Sequence, residues 1–214
     1  MGSFKNNNLL QAWLVLLLSI FFSVTLAAVH IRLSPVIEEN KTRETMERIP
    51  ALITGESNTD SSSRPFTIKQ RSILAEKKGI VKSYTVYDAI DNTGNVAGHV
   101  VKASGQGYAD KIELLIGLDA TAKTITGLFI LDQKETPGLG NKIIEDAWRN
   151  QFNGKSSYSP LVAIKGKSVN ENEIDAVSGA TISSRSVTDI INSAIGDVKK
   201  DITLTPESNN MENR

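Results

Sequence analysis

The sequence predicts an α+β fold, an antiparallel sheet with flanking helices, preceded by one N-terminal transmembrane helix. Three observations carry this. An apolar run without charges fills residues 9–31. Alternating runs in the middle of the chain come in pairs separated by turn residues: "VKSYTVYDAI" and "NVAGHVVKA" flank "DNTG", and "KIELLIGL" and "KTITGLFIL" flank "DATA". The last third returns to helical spacing.

The elements follow in chain order. Residues 1–8 are a polar flank. Residues 9–31 are long enough for one helix across a bilayer, with Trp13 near one end, where an amphipathic ring prefers the interface. A cleaved signal peptide is the competing reading, with Lys5 as its basic start and Ala27-Ala28 near the cut. The length of the run favours a retained anchor. Flanking charge, Lys5 against Arg32, Lys41 and Arg43, leans toward a cytoplasmic C-terminal domain. Residues 32–65 read as a charged helix over 34–49 and a Ser-rich linker over 54–65. A domain then spans 66–204. It opens with a second helix at 67–78, stopped by Gly79. After the two hairpins comes a helix over 141–152, with Ile144, Ala147 and Trp148 on one face. A short strand at 161–164 precedes a last helix over 182–195, packed through Ile182, Ile190, Ile191 and Ala194. The tail 205–214 is polar and reads as disordered.

Composition narrows the chemistry. The 214 residues carry 24 Lys+Arg and 24 Asp+Glu, a balance that argues against nucleic acid as the main partner. Cysteine is absent, which excludes disulfides, thiol catalysis and Cys-ligated clusters. The histidines are His30 and His99, too few and too far apart for a His-rich metal site or a nearby triad. Redox work by this chain requires a bound organic cofactor.

Three stretches are candidate sites. "DAVSGATISSR", 175–185, puts Asp175, Ser178, Gly179, Ala180 and Thr181 at the start of the last helix. With Thr181 as N-cap, the unpaired amides of the first turn make a place for an anion, and Gly179 and Ala180 leave the approach open. A plain hydroxyl cap explains the same residues. "ETPGLGNKI", 135–143, places Leu139 on a stiff loop between Pro137-Gly138 and Gly140, suited to cover an aromatic ring or to serve as a simple turn. "GQGYAD", 105–110, is a third Gly loop, too short for a dinucleotide fingerprint.

Taken together these stretches resemble a known family. "DAVSGATISS" matches the D-x-x-[ST]-G-A-T pattern of covalent flavinylation sites. With "ETPGLG" and the N-terminal apolar helix, the chain resembles the G-type subunit of the Rnf-type ion-translocating oxidoreductase. That subunit shares its domain with the C-type subunit of the sodium-pumping NADH–quinone reductase. The compact length favours the G-type reading.

The resemblance implies an FMN esterified through its phosphate to Thr181, installed from FAD by a separate flavin transferase. Ser178, Gly179 and Ala180 accompany it, and Asp175 serves recognition or activation by the transferase. Glu135, Thr136, Leu139 and Gly140 border the isoalloxazine ring. Thr181 accepts the cofactor and is not a turnover nucleophile, so the resemblance implies no catalytic residue and no metal. It also implies an electron-transfer subunit, incomplete as an enzyme alone, that works with other membrane subunits of a ferredoxin:NAD oxidoreductase. The domain then faces the periplasm or another extracytoplasmic space, against the flanking charge. Two other readings remain: an FMN subunit of another extracytoplasmic electron chain, and a membrane-anchored binding module without redox function.

Overall fold

A computed structural model describes residues 8–55, 66–77 and 79–203. Residues 1–7 of the expected flank, 56–65 of the expected linker and the expected tail lie outside the described residues. The chain divides into two compact units, up to Arg43 and from Glu44 onward.

Helix α1 covers Asn8–Thr54. The expected anchor and charged helix are therefore one element, and it contains Pro35 and Pro50 without interruption. Its polar stretch carries Glu38, Glu39, Lys41, Arg43, Glu44, Met46, Glu47 and Arg48, residues that hold a helix well. In the first unit every residue from 10 to 33 is exposed. Among the described residues this is the one helix long and apolar enough to cross a membrane.

The second unit is built on a five-stranded antiparallel meander in the order β1-β2-β3-β4-β5. The strands are Thr67–Lys77, Ile80–Ile90, Val96–Gln106, Lys111–Asp119 and Ile125–Asp132. The α+β class is as the sequence predicts, and both expected hairpins form. In the β2–β3 turn the Asp91 carboxylate accepts the Thr93 and Asn95 amides at 2.8 and 3.0 Å. The Asp119 carboxylate does the same for Lys123 and Thr124 in the β4–β5 turn.

Residues 67–77 are strand β1, not the expected helix. Each residue of β1 pairs with one of β2, and Gly79 lies in the hairpin turn between them. Lys, Gln, Arg, Leu, Ala and Glu give this stretch a helical propensity that the sheet overrides. Its alternation is visible in burial: Ile73 is 6% exposed and Leu74 71% exposed.

Each sheet face covers a core. On one, Val86, Val101, Leu114 and Ile116 pack with Val187, Ile191 and Val198 of helix α3 (Thr181–Thr203). On the other, Tyr87, Val100 and Leu115 pack with Ile49 and Leu52 of α1. Helix α3 is longer than expected because Val198 and Ile202 continue its buried stripe. Ile190, Ile191 and Ala194 are buried as predicted, whereas Ile182 is 56% exposed. His99 is buried under the first face, where its Nδ1 lies 2.6 Å from Asp88 Oδ1.

The expected helix over 141–152 is instead a 3₁₀ turn at Gly140–Ile144, a short helix α2 at Asp146–Arg149 and a 3₁₀ turn at Asn150–Phe152. Glu145 adopts an extended backbone and breaks the run. The buried side is Ile143, Trp148 and Phe152, while Ile144 and Ala147 are exposed. The expected strand is present as β6, Val162–Ile164. It pairs in parallel with a further strand that the sequence does not announce, β7, Glu173–Asp175.

Candidate functional site

The motif stretch leaves β7 and turns into α3. Ala180 N–H donates to the Val177 carbonyl at 2.9 Å, closing the turn. Gly179 occupies it with φ +78°, a conformation that strains any L side chain. The first α-helical bond runs from Ser184 N–H to the Ala180 carbonyl at 3.1 Å. Ala180 therefore holds the N-cap position, and Thr181 is the first helical residue rather than the expected cap. Ser184 ties the turn instead: its hydroxyl donates to the Ala180 carbonyl at 3.1 Å and accepts Val177 N–H at 3.0 Å. The hydroxyls of Ser178 and Thr181 make no hydrogen bond among the described residues. The amides of Thr181, Ile182 and Ser183 precede the first helical bond and have no acceptor within the helix. Unpaired amides and the dipole of a 23-residue helix both favour an anion here.

The 135–140 loop contains the expected tight turn. Leu139 N–H donates to the Thr136 carbonyl at 3.2 Å around Gly138, whose φ is +77°. Leu139 is held out on this turn, 45% exposed.

Glu135 is placed differently. It is 4% exposed and does not line the cleft described next. Its Oε1 accepts the Tyr108 and Ala109 amides at 2.9 and 3.2 Å, and its Oε2 accepts the Ser183 hydroxyl at 2.6 Å. One carboxylate thus joins the "GQGYAD" loop, the 135–140 loop and the first turn of α3. Gly140 packs against Glu135 and Ser183, where a Cβ would approach the Ser183 hydroxyl to 3.0 Å.

The result is an open cleft of ≈ 970 Å³. Thr136, Leu139 and Gly140 line it from one loop, and Asp175, Ser178, Gly179, Ala180 and Thr181 from the motif. Residues far apart in sequence are thereby brought to one place. The size suits a cofactor-scale ligand, and an exposed Leu beside free amides offers an apolar surface next to an anion site.

Asp175 supports this wall. Its N–H donates to Gln151 Oε1 at 2.8 Å, and its carbonyl accepts Trp148 Nε1–H at 2.8 Å. Its carboxylate accepts Ser168 N–H at 2.5 Å. Nearby, the amides of Val169 and Asn170 hold the Glu173 carboxyl below the usual carboxylate range. The Lys111 amide and the Lys134 ammonium do the same for Asp110.

Three contributors escape sequence reasoning. Tyr108 lines the cleft from the Gly loop that carries no specific signal. Ser183 sits inside "TISS" but declares its role only through Glu135. Lys165 also lines the cleft, and nothing in the sequence marks it, because only the β6–β7 pairing brings it there.

Comparison with known proteins gives first a match to part of the chain. Residues 107–196 match the FMN-binding domain family, and this stretch contains both the 135–140 loop and the 175–185 motif. Similar relatives are subunits of ion-translocating complexes. The chain is 42% identical over 106 residues to the G-type subunit of the Na(+)-translocating ferredoxin:NAD(+) oxidoreductase complex of Acetobacterium woodii, covering 49% of this chain and 50% of that one. It is 38% identical over 109 residues to the G-type subunit of the ion-translocating oxidoreductase complex of Methanosarcina acetivorans, covering 51% and 55%. The C-type subunit of the Na(+)-translocating NADH-quinone reductase of Pasteurella multocida is 35% identical over 108 residues, covering 48% and 42%. The chain spans about half the length of the curated relatives it matches. The G-type resemblance drawn from the motifs is thus borne out. The fold recurs in a solved C-type subunit of the Na(+)-translocating NADH-quinone reductase from Parabacteroides distasonis. That structure has TM-score 0.57 and 22% identity, covering 77% of this chain and 95% of the other.

Proposed function

We propose that the protein is a membrane-anchored electron-transfer subunit that carries FMN on Thr181 through a phosphoester, and that it is the G-type member of an ion-translocating oxidoreductase complex. The observation that carries this is Thr181 itself. Within a stretch matching the FMN-binding domain family, it lines the cleft with an unbonded hydroxyl and stands beside amides without acceptors.

Each part of the cleft has a task under this reading. Thr181 Oγ forms the bond to phosphorus; with FAD as donor, AMP leaves and the hydroxyl proton is released. The amides of Thr181, Ile182 and Ser183 face the resulting phosphodiester charge. Thr136, Leu139 and Gly140 border the ring, and Leu139 covers apolar surface. Glu135 holds these parts in register without touching the cofactor. Bound FMN supplies a centre that accepts one or two electrons, which suits a relay between one-electron and two-electron partners. Asp175 is the recognition residue for the flavin transferase, and its grip on Ser168 keeps the motif presented. A covalent tether prevents loss of the cofactor by dilution in an extracytoplasmic space, the side on which this reading puts the domain. The apolar helix stays in the mature protein as the anchor, and the domain boundaries are those of the sequence reading, 66–204 for the FMN-binding part. The similarity to the C-type relatives supports a second reading, the equivalent subunit of an NADH–quinone reductase.

The test is co-expression of the chain with a flavin transferase, followed by in-gel fluorescence under denaturing conditions and peptide mass spectrometry. One FMN on the 175–185 peptide of the parent, and none on Thr181→Ala, is the expected result. Flavin retained on Thr181→Ala, or an unmodified parent peptide, overturns the assignment. Protease added to intact spheroplasts reads the orientation, and protection of the domain overturns the outward placement.

A further inference from the structure

The geometry points to Lys165 as the residue that sets the charge of the cleft and, through it, the reduction potential of the flavin there. This inference rests on the flavin reading above. Strand pairing fixes where Lys165 emerges. Ile164 pairs with Asp175 at the end of the parallel ladder, and Ala176 N–H donates to the Ile164 carbonyl at 2.8 Å. Lys165 therefore leaves β6 beside the start of the motif, and Lys165 and Gly166 line the same cleft as Thr181 and Leu139.

The loop that carries it is anchored by its own backbone. Asp175 accepts Ser168 N–H at 2.5 Å, and Glu173 Oε2 accepts the Val169 and Asn170 amides at 2.8 and 3.1 Å. Both nearby carboxylates are thus committed to amides. Lys165 makes no ion pair or hydrogen bond among the described residues. The other titratable residues of the cleft wall are Asp175 and Tyr108, so Lys165 is its one cation among the described residues.

An electron that reaches the cleft without an accompanying proton adds one negative charge there, and no bond of the protein forms or breaks. An ammonium in the same cleft stabilises the reduced state relative to the oxidised one. At the effective dielectric of a protein surface, a unit charge within about 10 Å shifts such an equilibrium by about tenfold.

The experiment uses the full chain in detergent, loaded by a flavin transferase, with one flavin per chain verified by mass for each variant. Spectroelectrochemical titration at low salt, where screening is weakest, compares the parent with Lys165→Met and Lys165→Arg. Lys165→Met is expected to make reduction about tenfold less favourable, about 59 mV lower for a one-electron step. Lys165→Arg, which keeps the charge, is expected to stay near the parent. A loaded Lys165→Met with the parent's potential overturns this inference alone. A parent chain without flavin overturns the flavin reading and this inference with it.

Discussion

Ser183 donates its hydroxyl to Glu135 Oε2 at 2.6 Å, a buried bond between residues 48 positions apart. The other oxygen of Glu135 takes the Tyr108 and Ala109 amides. Three of the segments that line the cleft are therefore joined by one carboxylate. Glu135→Ala leaves the buried Ser183 hydroxyl and the part-buried Tyr108 and Ala109 amides without their acceptor, and a buried unpaired group costs about 1–3 kcal/mol. The expected loss of stability is about 3 kcal/mol in urea denaturation. Glu135→Gln keeps an oxygen for both amides and turns its NH₂ toward the Ser183 oxygen, so its loss is expected to be less than half as large. Equal losses would mean that the carboxylate only fills space.

Leu139 stands out from its turn, 45% exposed, with its Cδ2 beside Gly179. Leu139→Ala is expected to cost less than about 0.5 kcal/mol, as at other exposed positions. Under the ring-bordering role it leaves flavin attachment to Thr181 intact but shifts the flavin absorption bands or the potential. Attachment is read by gel fluorescence and the bands by absorbance. A Leu139→Ala protein matching the parent in both bands and potential would reduce the loop to a plain turn.

Local features are legible in the sequence, and long-range ones are not. The two hairpins follow from alternation around "DNTG" and "DATA", and the motif at 175–181 is contiguous, so both are read from neighbouring residues. Strand β1 reads as a helix because its residues favour one in isolation, and only its partner β2 makes it a strand. Thr181 reads as the cap because its hydroxyl suits that position. The helix starts one residue earlier, and Ser184 bonds the turn in place of a cap side chain. Glu135 reads as part of the ring border, yet its carboxylate points to amides and Ser183. Lys165 depends on the β6–β7 register, which three-residue strands do not announce.

The end of α1 meets the sheet at glycine. A Cβ on Gly117 would lie 2.5 Å from the Leu52 carbonyl oxygen and 2.7 Å from Thr126 Oγ1. Thr126 in turn donates to that same carbonyl at 2.5 Å. Gly117→Ala must therefore push the helix end away or break this bond. Overpacking of this kind costs about 1–3 kcal/mol. Thermal unfolding of the detergent-solubilised chain is expected to show that loss, together with faster proteolysis near residue 55. Unchanged unfolding and cleavage would show that α1 does not depend on the close approach.

Acid titration tests the pair beneath the far end of α3. Asp88 is 13% exposed, and it binds His99 Nδ1 at 2.6 Å and Arg71 Nε at 2.7 Å. Burial pushes its carboxyl up, but the hydrogen bonds from His99 and Arg71 outweigh burial and hold it below the ordinary value of 3.8. A carboxyl depressed in the folded state contributes stability that is fully present above its unfolded value. That contribution disappears as pH falls through the lower folded value. Asp88→Asn is therefore expected to be less stable than the parent at pH 7, by about 2 kcal/mol given the partial exposure of Arg71. The gap should hold down to about pH 5 and close progressively below 3.8. Urea midpoints of both proteins at a series of pH values read this directly. A gap that stays constant into strong acid would mean that the charge on Asp88 contributes nothing and that only its shape matters.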